Sequence, residues 1–217
     1  MYRAMLQAQW SWARLELGVY AVVAFFVPTA VMRIMTSGMN DSSIDGVLSA
    51  SAGTGGFLGA IAFIAGVTLA CRPWIADQSR GHVFALSLPV SWPHYVRLRF
   101  ICGATLIAIP ALAAWLGALL GVLTYDVPGT LRAYPLSLAL RFAGAAMVFY
   151  SLAFAIQYLA GRKAAHVMAG ALLFWLTAEV IGQAFGLGSF TVGAWHMMST
   201  WPGPFEVVTA RWMLIDV

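Results

Sequence analysis

Charge is what this chain has least of. Of its 217 residues only 9 % are Asp, Glu, Lys or Arg, while 61 % are hydrophobic; a soluble domain carries about a quarter charged residues. An ordinary water-soluble globule is excluded on that ground. Cysteine is nearly missing as well. Cys71 and Cys102 both lie at or inside apolar segments, which suits two buried thiols better than a structural disulfide. No small-residue cleavage pattern follows the first apolar run, so it reads as a retained span and not as a signal peptide. The net charge of +4 is not a nucleic-acid footprint, because the basic residues sit mostly at segment ends, where they act as topology signals. His82, His94, His166 and His196 fall in loops or at their edges, and no close His/Cys/Asp/Glu cluster accompanies them. Neither a metal site nor paired haem ligands are expected in this chain. The Ser, His and Asp residues form no local nucleophile motif.

Long apolar runs fill the space that charge leaves. A spanning helix needs roughly 20 mostly apolar residues, and five runs qualify: 16–35, 54–72, 98–124, 137–160 and 167–187. The expected fold is all-α, a polytopic membrane helix bundle forming one transmembrane domain over 1–217, with no room for a soluble catalytic domain. Pro28 is placed to kink the first span, and Arg33 to snorkel at its far end. The run Gly-Thr-Gly-Gly-Phe-Leu-Gly at 53–59 opens the second span with small residues, which let helices approach closely. The segment 36–53 has Asp41 and Asp45 and no Lys or Arg, whereas 72–99 holds Arg72, Arg80, Arg97 and Arg99 against Asp77 alone, and 161–166 holds Arg162 and Lys163. The positive-inside rule places the N-terminus, 72–99 and 161–166 in the cytoplasm and the other loops outside. The tail 188–217, broken by Pro202 and Pro204, reads as an outer re-entrant or interfacial segment followed by the start of a sixth span.

The linker between the second and third spans is more than a tether. Residues 74–88 can form an amphipathic helix, with Ile75, Val83, Phe84, Leu86 and Leu88 apolar and Asp77, Gln78, Ser79 and Arg80 forming a polar turn. Pro89 ends or bends it. Ser91 is placed to cap a following short helix that has Pro93 in its first turn. Such a helix either re-anchors the chain between spans or docks against a cytosolic protein.

Asp77, then Gly81, then Leu86-Ser87-Leu88-Pro89-Val90-Ser91, followed by Tyr95, Val96, Arg97 and Arg99 leading into a span, resembles the membrane subunit of an ABC transporter of the ABC-2 (type V exporter) class. Trp92 stands where that motif usually has a basic residue. The resemblance implies a coupling helix that docks in a groove of a cytosolic ATP-binding subunit. Asp77 and Arg80 then make its polar contacts, Phe84 and Leu86 anchor it, Pro89 fixes the angle into the membrane, and Gly81 belongs to the same coupling segment. It implies about six transmembrane helices, pairing with a second permease copy or a related permease, and ATP and Mg bound and hydrolysed on the partner. No G-x-x-x-x-G-K-[ST] phosphate loop occurs here, so the chain is not that ATPase.

Glu179 sits in the fifth span, where a carboxylate is costly and faces a cavity or bundle interior or is paired near the outer surface. Trp115 and Trp175 are deeper than the other tryptophans, which form an aromatic belt at the interfaces, and with Glu179 are the candidates for a path or the bundle interior. The leading expectation is therefore a transport permease in a bacterial inner membrane, N-terminus cytoplasmic, surrounded by membrane lipid and binding no nucleic acid. A non-transport membrane anchor of a larger complex and a cofactor-binding membrane subunit are the alternatives.

Overall fold

A computed structural model describes residues 2–37, 44–79, 91–124, 131–133, 135–186, 189 and 213–215. The elements are α1 (Tyr2–Ser37), α2 (Ile44–Ser79), α3 (Trp92–Leu106), α4 (Ala108–Thr124), β1 (Leu131–Ala133), α5 (Pro135–Ala160), a 3₁₀ turn (Gly161–Lys163), α6 (Ala164–Ala184) and β2 (Met213–Ile215). Five stretches are long and apolar enough to cross a membrane: Tyr2–Val31, Phe57–Asp77, Trp92–Thr124, Pro135–Ala160 and Ala164–Ala184. They overlay the five expected spans. Two boundaries are corrected. The first span starts well before the expected residue 16: α1 runs without a break from Tyr2. Residues 74–79 are the last turns of α2, not the start of a separate amphipathic helix. Residues 80–90 lie outside the described residues, as does most of the tail.

Four helices close into a ring. α1 packs on α2 and α4, and α5 packs on α2 and α4. α1 and α2 run antiparallel, as the Glu16–Arg72 pair and the 2.9 Å Tyr20–Thr68 hydroxyl contact show. α2 and α5 run parallel, tied by Gln157 Nε2 donating to Cys71 Sγ at 3.2 Å and by Trp74 against Phe154. α1 and α4 also run parallel.

Volume is distributed inside out. Ala13, Ala24, Ala62, Ala65, Ala70, Ala114, Ala118 and Ala146 are buried in the ring, while Leu15, Val22, Phe26, Leu123, Leu140 and Leu159 are exposed. Hydrocarbon is as apolar as leucine, so large side chains gain little by leaving lipid, and helices gain dispersion contacts by approaching over small ones. The closest approaches fall at Gly66, Gly103 and Gly117. A Cβ on Gly117 would lie 1.9 Å from the Phe25 carbonyl oxygen, and one on Gly66 would lie 2.5 Å from that of Ala146. Gly59, from the run expected to serve this purpose, has nothing within 4 Å.

Proline sets the irregularities. Pro110 has no N–H to return to Leu106, and the third span breaks one residue later, at Ile107, whose own N–H turns back to Ala104 O at 3.2 Å. Pro28 is carried inside α1, and the Thr29 hydroxyl donates to Phe26 O at 3.0 Å. Gly161, at φ +52°, makes the reversal from α5 into α6. α6 packs chiefly on α5, and 6 % of its most apolar window is buried against 44 % for α2. β1 and β2 pair antiparallel, Arg132 opposite Leu214, which joins a tail segment to the loop between α4 and α5.

Gly117→Ala should therefore separate α1 from α4 and cost about 1–3 kcal/mol, seen as a lower thermal midpoint in detergent. Gly59→Ala should leave the midpoint unchanged.

Candidate functional site

The linker leaves α2 after Ser79 and re-enters at Ser91, and its two roots are fastened together. Ser91 is extended (φ −67°, ψ 147°) and its carbonyl accepts the first helical bond, from Tyr95 N at 3.0 Å. The capping position is as expected, but the hydroxyl makes no capping bond, and the helix that follows is the third span itself and not a separate short one. From there Tyr95, Arg99, Cys102 and Leu106 fall at helical spacing on one buried face of α3. That face brings a guanidinium against the end of α2. Arg99 Nη1 donates to Asp77 Oδ2 at 3.2 Å and to the Tyr95 hydroxyl at 2.5 Å, and that hydroxyl donates to Asp77 Oδ2 at 3.2 Å.

Both charges are withdrawn from solvent: the side chains are 1 % and 0 % exposed. Removing two ions from water costs several kcal/mol each, while their attraction at about 4 Å and an effective dielectric of 20 is about 4 kcal/mol. The pair does not cover its cost alone. The Arg99 guanidinium carbon lies 4.3 Å from the centre of the Trp74 ring and 5.4 Å from that of Tyr95, and desolvated cation–π contacts add about 2 kcal/mol. Trp92 stacks on Tyr95 at 5.5 Å and meets Trp74 edge-on at 6.3 Å, closing the cluster on its outer side. Arg99 Nε and Nη2 have no acceptor among the described residues.

The cluster reaches two further helices. Gln9 Nε2 on α1 donates to the Arg99 carbonyl at 3.0 Å, and Tyr150 on α5 donates to the Phe100 carbonyl at 3.1 Å. Four helices thus meet where the linker begins and ends.

The expected site residues are placed unevenly. Asp77, expected to offer a polar contact to a partner, instead faces inward onto Arg99, because α2 runs through to Ser79 and turns that position into the bundle. Arg80, Gly81, Phe84, Leu86 and Pro89 lie outside the described residues. Glu179 is on α6, where its Oε1 accepts from Gln183 Nε2 at 2.9 Å and from Ser189 Oγ at 2.7 Å. Trp175 is one turn away on the same helix, and Trp115 is on α4, which packs chiefly on α1 and α5. Trp115 and Trp175 are half-buried. No group of three His, Cys, Asp or Glu side chains suited to a metal occurs among the described residues.

Arg99, Tyr95, Trp74 and Gln9 were not anticipated as a unit. Arg99 reads in the sequence as one more topology charge beside Arg97, yet Arg97 is exposed and Arg99 is not. The usable signal was spacing: Arg99 shares the register of Tyr95, Cys102 and Leu106, and an arginine on a buried stripe needs a carboxylate.

These features define a polytopic helical membrane protein whose linker between the second and third spans is rooted in a buried ion pair. The chain belongs to the ABC-2 transporter family: the family described as ABC-2 family transporter protein matches residues 47–201, from α2 through the linker and past α6. Neither the curated proteins nor the solved structures give a match.

Removing one partner of the pair, by Arg99→Met or Asp77→Leu, should destabilise the protein by about 3–5 kcal/mol, and the double variant should recover most of that loss. Thermal unfolding of all four forms as a double-mutant cycle measures the coupling; strictly additive losses would contradict it.

Proposed function

We propose that this chain is the membrane-spanning permease subunit of an ABC transporter and that residues 80–91 couple it to a separate cytosolic ATP-binding subunit. The family match carries the reading, and the buried pair at the roots of that segment supports it. A docking segment transmits force only if its ends are fixed, and Asp77 and Arg99 fix both ends to each other and, through Gln9, to α1. Phe84 and Leu86 are the apolar anchors, Arg80 makes polar contacts, Gly81 belongs to the same segment, and Pro89 sets the return angle. ATP and Mg reside on the partner, and this chain performs no hydrolysis.

The substrate path runs outside the four-helix ring, since alanines fill the ring interior. It lies on the side of α6, between this chain and a second permease copy or a related permease, with Glu179 and Trp175 beside it and Trp115 on the neighbouring wall. The membrane is the bacterial inner membrane, with the N-terminus and the linker in the cytoplasm.

Purification from native membranes in mild detergent tests the reading. An ATP-binding subunit should co-purify and be lost when Phe84 and Leu86 are both replaced by Glu. Asp77→Asn should keep the subunit bound yet lower transport per ATP hydrolysed several-fold. A stable complex containing no ATPase would overturn the assignment.

A further inference from the structure

An open groove of about 470 Å³ lies between the first turns of α1 and the α3–α4 junction, well within the size of small-molecule sites. Leu6, Leu106 and Ile109 make its apolar part, and Arg3, Gln7 and Trp10 make its polar part, with Thr105 on the wall between. Arg3, Gln7 and Trp10 follow one another at helical spacing on a single face of α1. The groove belongs to none of the coupling residues.

We infer that this groove binds one acidic glycerophospholipid of the leaflet facing the linker, with its headgroup at Arg3 and an acyl chain along Leu6, Leu106 and Ile109. Depth supports this occupant. Ile109 is in the middle of the membrane-crossing stretch Trp92–Thr124, whereas Arg3 is at the very start of the stretch Tyr2–Val31, so the groove runs from an apolar interior position to a helix end. Charge supports it too. The lining is mainly apolar, Arg3 is its one charged residue, and it contains no carboxylate that would receive a choline or ethanolamine group. Arg3 makes no ion pair among the described residues. A cation in the first turn of a helix also opposes the helix dipole, so Arg3 does not serve α1 itself. Trp10 is 43 % exposed, and an indole at this level has one face for acyl chain and an N–H for the headgroup.

The test is native mass spectrometry of the full chain, offered equal dioleoylphosphatidylglycerol and dioleoylphosphatidylcholine. The wild type should retain the phosphatidylglycerol preferentially. Arg3→Ala should reduce that preference about fivefold, the equivalent of the roughly 1 kcal/mol an arginine contributes beside an acidic membrane surface, and Arg3→Lys should keep most of it. Arg14→Ala, which removes a charge on α1 outside the groove, should leave it intact. Ile109→Trp, which fills the apolar part, should reduce binding of the lipid altogether. Equal losses in Arg3→Ala and Arg14→Ala would mean diffuse charge attraction and overturn the site. A wild type without preference, or an Ile109→Trp variant that binds as before, would overturn it as well, the latter pointing to a segment of protein over the groove.

Discussion

A positive charge that cannot reach water organises one end of this bundle. Arg99 is held by Asp77, by the Tyr95 hydroxyl and by the face of Trp74, and its backbone carbonyl is held by Gln9. Asp77 and Trp74 belong to α2, Tyr95 to α3 with Arg99 itself, and Gln9 to α1. Because the charge is costly to bury, α1, α2 and α3 must meet in one geometry to keep it satisfied, and the linker between α2 and α3 inherits a fixed separation of its ends. The substitution of Trp92 for a basic residue fits this arrangement. The indole lies on Tyr95, so the position contributes to closing the cluster by stacking rather than by charge.

The rest of the ring relies on shape. Alanine and glycine inside allow backbone-to-backbone approach, and leucine, valine and phenylalanine outside meet lipid. This division explains why α6 can remain at the edge. Its buried positions are the small Ala164 and Gly182, and its large side chains (Leu172, Phe174 and Val180 among them) are exposed. Its carboxylate, Glu179, is satisfied by Gln183 and Ser189 close at hand, which removes the need for a distant cation.

Much of the fold was legible because hydropathy acts over 20 residues at a time and tolerates error at the ends. The five spans came from that, whereas Pro28, expected to kink the first span, is carried inside α1, and the break beside Pro110 was not anticipated. Details that depend on a single atom were not legible. Nothing in the sequence separates Gly117, which touches the Phe25 backbone, from Gly59, which touches nothing. Nor does it show that α2 continues to Ser79 and turns Asp77 inward. The linker motif identified the family, yet the buried partner of its acidic residue lay 22 positions away, beyond the reach of local pattern reading.

The interruption at Ile107 gives α3 a mechanical character of its own. α3 is 15 residues long, about 22 Å at 1.5 Å per residue, and it is joined to α4 by one turn residue, while α4 is seated against α1 with no side chain between their backbones at Gly117. It is a lever with its fulcrum at Ile107 and its far end at Trp92, where the indole meets Trp74 of α2. A push of roughly 3 Å at Trp92 is a tilt of roughly 8° about that fulcrum, by the same helix dimensions. Because Arg99 stands midway along the arm, the tilt draws Asp77 and Gln9 with it, and α1 and α2 share the torque before α4 bends.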